Sequence, residues 1–176
     1  MPAEYVLSHS VFTATIHAPI EKVDIADWLF NLSDAEYQRC SSAHIAAGAT
    51  TTDDGRLMSI NVETIGNALV IQHYVAEVHT PHLCRMISQS DSITPAGRTK
   101  VQVTWELSVK RIDENTCEYS NLVHSIATEQ SLAFFKEHGI SFESAAAARQ
   151  EASSSHNREE TPLFAKSIER RAFAKG

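Results

Sequence analysis

The chain has 176 residues, of which 43% are apolar, and carries a formal net charge of −7. That length suggests one domain, which buries about 70% of its unfolded surface and needs no covalent staple. The acidic balance argues against a nucleic-acid or anionic-membrane partner, since both need clustered Lys and Arg.

Other features narrow the class further. The one basic cluster, Arg170, Arg171 and Lys175, reads as a solvated helix end. No apolar stretch approaches the ~20 residues of a membrane span, and the opening MPAEYVLSHS has no basic region followed by an apolar run. Cys40, Cys84 and Cys117 are odd in number and far apart, which points to a reducing compartment rather than a disulfide scaffold. A cytoplasmic protein is the expectation.

The first strand is expected at about 6–16. Pro19 then opens a helix whose apolar face carries Ile20, Val23, Ile25, Trp28, Leu29 and Leu32. Ser33 has the position of a new N-cap, with Glu36 three residues on as a capping box. Turn signals follow at Thr52-Asp53-Asp54-Gly55, Gly66-Asn67, Thr80-Pro81, Pro95-Ala96-Gly97 and Asp113-Glu114-Asn115-Thr116. They divide the chain into strands at about 42–51, 56–65, 68–78, 83–94, 99–112 and 117–127, making seven with the first. The stretch 99–112 alternates cleanly, with Val101, Val103, Trp105, Leu107 and Val109 on one face. Thr128 can cap a helix that stops at Gly139. Ser141 can cap another, which Ser153 to Ser155 weaken and Thr161-Pro162 would kink or restart.

The order strand, two helices, six-strand meander, helices resembles the START-like helix-grip superfamily of birch-pollen allergens, polyketide cyclases and lipid-transport proteins. Locally, Ile16-His17-Ala18-Pro19-Ile20-Glu21-Lys22-Val23 is similar to the "I-x-A-P-x-x-x-V" passage from that superfamily's first strand into its helical pair. The resemblance implies an α+β fold: a seven-stranded antiparallel curved sheet wrapped around a C-terminal helix. It implies one domain over 1–176, with 140–176 as a helical extension or lid.

Side chains alternate with period two, so the turns suggest which residues face the pocket. About Gly66-Asn67, Ile65 pairs with Ala68, Val62 with Ile71 and Ile60 with His73. Met58, Ile60, Val62 and Thr64 then share a face with Leu69, Ile71, His73 and Val75, which is expected to point inward. About Asp113–Thr116, Leu107 pairs with Leu122 and Trp105 with His124, so His124 is expected beside Trp105. For the small-residue strand Ala43-His44-Ile45-Ala46-Ala47-Gly48, the inward residue is undecided between His44 and Ile45.

The expected function is binding of a small apolar, aromatic or polyketide-like molecule between sheet and C-terminal helices. Trp105, Met58, Ile60, Ile71, Leu122 and Phe135 would line the site, and no cofactor would be needed. The alternative is an enzyme acting on such a molecule. In a metal-free cyclase, dehydratase or hydrolase, His124 or His73 would be the general base, although a lone inward histidine is more often a hydrogen-bonded core residue. In a metal-dependent form, His156 and Glu160 lie one helical turn apart at i, i+4 and make half of a zinc site, completed from the sheet by His44, His73 or Glu77. That arrangement resembles the metal-dependent C-acyl hydrolases of acylated phloroglucinols and phloretin, as does Glu36-Tyr37-Gln38-Arg39 followed by Ala43-His44-Ile45-Ala46. The bland reading of 156–160 is a solvated polar turn. A homodimer is plausible on general grounds.

Overall fold

A computed structural model describes residues 5–174; the first four residues and Lys175 of the basic cluster lie outside it. Seven strands form one antiparallel sheet: β1 (Val6–Ile16), β2 (His44–Thr51), β3 (Leu57–Ile65), β4 (Ala68–Thr80), β5 (Leu83–Thr94), β6 (Gly97–Arg111) and β7 (Cys117–Ala127). Their spatial order is β1-β7-β6-β5-β4-β3-β2, so β1 and β2 are the edges. Two short helices, α1 (Ile25–Phe30) and α2 (Asp34–Gln38), join β1 to β2. Helices α3 (Glu129–Glu137) and α4 (Phe142–Ala174) follow the sheet.

Local chemistry accounts for most boundaries. Thr128 caps α3 in a reciprocal box with Ser131, and Gly139, at φ +64°, ends the segment. The Ser141 hydroxyl accepts from the Ser144 amide at the start of α4. Ser33 caps α2 by accepting from the Glu36 amide, whereas the Glu36 carboxylate pairs with Arg39 and Arg170. Pro19 begins only a 3₁₀ turn at Ile20–Lys22. Helix α1 starts afresh with Asp24 as its cap, so the single helix expected from Pro19 is two pieces.

The expected break at Thr161-Pro162 does not occur. Helix α4 runs unbroken for 33 residues with Pro162 inside it. Pro162 is exposed, so the carbonyl it leaves unpaired four residues back falls on the wet side, where water can serve it. Thr161 donates its hydroxyl to the Asn157 carbonyl from the buried side.

One face of the sheet packs on α4, with Phe164, Ile168 and Ala165 buried against Trp28, Tyr37, Trp105 and Tyr119. The β3–β4 register is the expected one: Ile65 pairs with Ala68, Val62 with Ile71 and Ile60 with His73. Which face points inward is the reverse of the expectation. Ser59, Asn61, Glu63 and Ile65 of β3, with Ala68, Val70, Gln72, Tyr74 and Ala76 of β4, are the buried set. Met58, Ile60, Ile71 and His73 lie half-buried on the opposite face.

On β7 the expected register is one residue off. The hairpin loop has five residues, 112–116, and Arg111 rather than Ile112 pairs with Cys117. Trp105 therefore pairs with Val123, and His124 pairs with Thr104. Because a one-residue slip reverses every side chain, His124 and Leu122 lie on the face away from Trp105. Trp105 itself is buried on the inner face, as expected.

The β3–β4 turn sits close on α4. Gly66 has φ +62°, and a Cβ there would lie 3.2 Å from the Ala152 Cβ. Gly66→Ala should therefore destabilise the protein by at least about 1–2 kcal/mol, the cost of a left-handed backbone for an L-residue. Urea denaturation measures this, and an unchanged midpoint would contradict the placement of the turn.

Candidate functional site

Four titratable side chains converge where β2, β3 and α4 meet. His44 is the first residue of β2 and stands directly across from Glu63 on β3. A register shift just after it, between His44 and Ala46, turns Ile45 outward to 46% exposure and leaves His44 buried, as bulges re-aim side chains. Helix α4 contributes His156 and Glu160, four residues apart and so on one face.

The His44 Nε2 is 3.1 Å from Glu160 Oε2 and 3.5 Å from Glu63 Oε2. The His156 Nε2 is 3.1 Å from Glu63 Oε2 and 3.2 Å from Glu160 Oε2. One ligand atom from each of the four residues lies within 4.8 Å of all the others. Side-chain exposure is 0% for His44, 7% for each carboxylate and 10% for His156.

Each of these groups except His156 is held by a further partner. The His44 Nδ1 is 2.7 Å from the Tyr37 carbonyl; a carbonyl only accepts, so Nδ1 carries the proton and Nε2 faces the carboxylates. The Tyr37 ring stacks on the His44 ring at 3.8 Å between centroids. The Tyr37 hydroxyl donates to Glu63 Oε2 at 2.8 Å. Asn121 Nδ2 donates to Glu160 Oε1 at 3.0 Å, and Trp105 Nε1 donates to Asn121 Oδ1 at 2.8 Å. This is the kind of outer support that orients metal-ligating imidazoles and carboxylates.

Electrostatics follow from the crowding. Burial alone would raise the Glu160 carboxyl, but the His156 charge and hydrogen bonds from His156 and His44 outweigh it and hold Glu160 below its usual range. Burial would lower His156, but Glu160 and Glu63 together raise it well above the usual imidazole value. Burial, reinforced by Glu63 and Glu160, pushes the Tyr37 phenol well up, so it stays a proton donor.

One cavity adjoins the cluster, and a second shares Ile65 and Arg149 with it. The smaller, about 20 Å³, is lined by Tyr37, Glu63, Trp105, Arg149, His156 and Glu160 among others. It has room for an ion or roughly one water, not for an organic molecule. The larger, about 600 Å³, lies between the sheet, α3 and the first turns of α4, with Leu7, Val101, Phe134, Phe135 and Ile140 in its wall.

The residues singled out from sequence fall into two groups. His44, His156 and Glu160 come together, Trp105 walls the small cavity and Phe135 the large one. His73, His124, Met58, Ile60, Ile71 and Leu122 line neither cavity, because the face of β3 and β4 and the register of β7 turn them away. Glu77 is exposed beside a register shift in β4. Sequence reasoning missed Glu63, Asn121 and Arg149. The signal for Glu63 was a carboxylate alternating with Ser59 and Asn61 along β3. The three cysteines are buried and free, and burial raises the Cys40 and Cys84 thiols to about 12, so neither is poised as a nucleophile.

Comparison with known proteins bears on the fold. No family model and no curated protein matches the chain. Among solved structures, the Zhui aromatase/cyclase from Streptomyces sp. R1128 aligns over 96% of this chain and 97% of its own, with a TM-score of 0.69 and 12% identity. The chain has the START-like helix-grip fold. A START superfamily protein from Mycobacterium smegmatis aligns over 96% of this chain and 99% of its own, with a TM-score of 0.54 and 11% identity. Norcoclaurine synthase from Thalictrum flavum covers 99% of both chains, with a TM-score of 0.53 and 11% identity. At such identities the likeness establishes the fold alone. Among the described residues no helix is long and apolar enough to cross a membrane.

The ion pairs define a pH dependence for chelator-treated protein. His156 is raised on folding, so its stabilisation is complete below the unfolded value of 6.5 and declines above it until the folded pKa is passed. Glu160 is lowered, so its contribution is present above 4.5 and lost as pH falls through the folded pKa. Facing them are His44, Glu63 and Tyr37. The melting temperature of chelated protein should fall from about pH 7 to pH 9, and His156→Gln should flatten that slope. An equal slope in both proteins would contradict the pairing.

Proposed function

We propose that the chain is a metal-dependent hydrolase. It would hold one divalent cation, zinc by preference, between His44, Glu63, His156 and Glu160, and act on a carbonyl group of a small, mostly apolar molecule that occupies the larger cavity. The observation that carries this reading is the convergence of two imidazole nitrogens and two carboxylates within 4.8 Å in a buried site. Two imidazoles and two carboxylates suit zinc. Burying two carboxylates this close is costly unless a cation compensates them. The likeness of the chain to C-acyl hydrolases, resting on His156 and Glu160 and on the segment from Glu36 to Ala46, supports the same reading.

When bound, such an ion supplies a Lewis acid that polarises a carbonyl and eases deprotonation of water. The chain supplies the rest. Tyr37 and Asn121 aim Glu63 and Glu160, and the Tyr37 carbonyl fixes the His44 tautomer. Phe164, whose ring lies 5.6 Å from the His44 ring, closes the apolar side of the site. His156, poised between two carboxylates, would release its proton to solvent in order to serve as a ligand. The small cavity excludes bulk water, which strengthens each electrostatic contact.

A second reading is favoured by the volume of the larger cavity: the protein binds an apolar molecule and performs no chemistry on it. About 600 Å³ lies within the range of small-molecule sites. Metal analysis separates the two. After dialysis against micromolar zinc and gel filtration, wild-type protein should retain about one ion per chain. Glu63→Gln and His156→Ala should retain far less, and Tyr37→Phe should weaken retention by about 10-fold or more through the loss of support to Glu63. Wild-type protein that holds no zinc would overturn the hydrolase reading and leave the binding one.

A further inference from the structure

Arg149 lies on the inward face of α4, with Ser153, His156 or Asn157, Glu160 and Phe164 following at helical spacing. It is one of two residues, with Ile65, that wall both cavities. It is also the one charged residue in the wall of the larger cavity among the described residues. Its Nε is fully buried without a hydrogen-bond partner, and no described residue forms an ion pair with its guanidinium. Burial depresses its pKa, opposed by the more distant charge of Glu63. Arg149 as a whole is half-buried, so the cost falls on its Nε, a buried donor left unpaired unless something answers it.

Thr99, on the β6 side of the same cavity, has a buried hydroxyl that is also without a partner. The larger cavity thus has a mostly apolar wall in which Arg149 is the one cation among the described residues. Charge bookkeeping points the same way. A divalent cation on two carboxylates and two neutral imidazoles makes the four-residue centre neutral. The Arg149 guanidinium is then the net charge of the interior, and one anionic group would balance it.

We propose that Arg149 binds an anionic oxygen, carboxylate or phenolate, of a substrate whose apolar body fills the larger cavity. The position of Arg149 between the cavities places that anion beside the four-residue centre, so the carbonyl to be attacked lies close to the charged end of the substrate and the tail points toward Phe134 and Phe135. The substrate class and the charge count rest on the hydrolase reading; the position of Arg149 in the walls of both cavities does not.

The test uses N-phenyl-1-naphthylamine, a neutral fluorescent probe, displaced by 2-naphthoate or by its neutral methyl ester at neutral pH. Wild-type protein should prefer the carboxylate by about tenfold or more, the worth of one charge-assisted hydrogen bond. Arg149→Met should lose that preference, read as the ratio of ester to acid displacement constants, and Arg149→Lys should keep part of it. Equal displacement by acid and ester in wild type, or a preference that survives in Arg149→Met, would overturn the proposal. Zinc content is read on the same preparations. A preference for the acid without bound zinc sinks the hydrolase and leaves the anion site standing; bound zinc without the preference does the reverse.

Discussion

Two carboxylates buried side by side, Glu63 and Glu160, are the constraint around which this molecule is arranged. Each brings an oxygen close to the same two imidazole nitrogens, at 7% side-chain exposure. Like charges in a low-dielectric interior repel strongly, and each resists leaving water. The protein answers with hydrogen bonds from Tyr37 and Asn121, with a protonated His156 when no ion is present, and, in the proposed hydrolase, with a divalent cation. The cluster is stable only as a whole, because removal of one member leaves another charge buried and unanswered.

Part of the inner face of the sheet, around and beside this cluster, is polar. Ser59, Asn61, Glu63, Gln72, Ser88, Ser90 and Asn121 are all buried there. Many are tied to one another or to α4: Ser59 donates to Asn61, Ser90 to Ser88, and Asn121 to Glu160 and Thr161. The apolar core is displaced toward the other end of α4, where Trp28, Tyr37, Phe164 and Ile168 pack. One long helix thus performs two tasks. From Phe164 onward it anchors the core, and the part before Pro162 carries Arg149, His156 and Glu160 to the site. The unbroken passage through Pro162 keeps the two halves in register.

Much of the fold was legible because turns and periodicity are local. The bounds of β1, β5 and β7 follow from Gly, Pro and Asx signals, as does the start of α3 at Thr128. What could not be read depended on which face is buried. Met58, Ile60 and Ile71 are the more apolar set, so an inward-apolar rule selects them. The interior instead took Ser59, Asn61 and Glu63, the local conflict expected at a functional site. On β7 a hairpin loop one residue longer than the turn signal suggested moved His124 to the far face. The helical half of the cluster, His156 and Glu160, was readable from i, i+4 spacing alone. Its sheet half was not, since the His44–Glu63 pairing depends on a register shift beside Ile45 that no residue pattern announces. Arg149 drew no notice in an Ala-rich helix, because its meaning lies in the two cavities it separates.

X-ray absorption at the zinc edge on the loaded, wild-type protein tests the four-residue metal centre most directly. The expected spectrum has a first shell of two nitrogen and two or more oxygen neighbours at about 2.0–2.2 Å, with the multiple-scattering signature of imidazole. Replacing either imidazole, at His44 or at His156, should remove half of that signature. A shell of oxygen atoms alone, or sulfur from any of the cysteines, would contradict it.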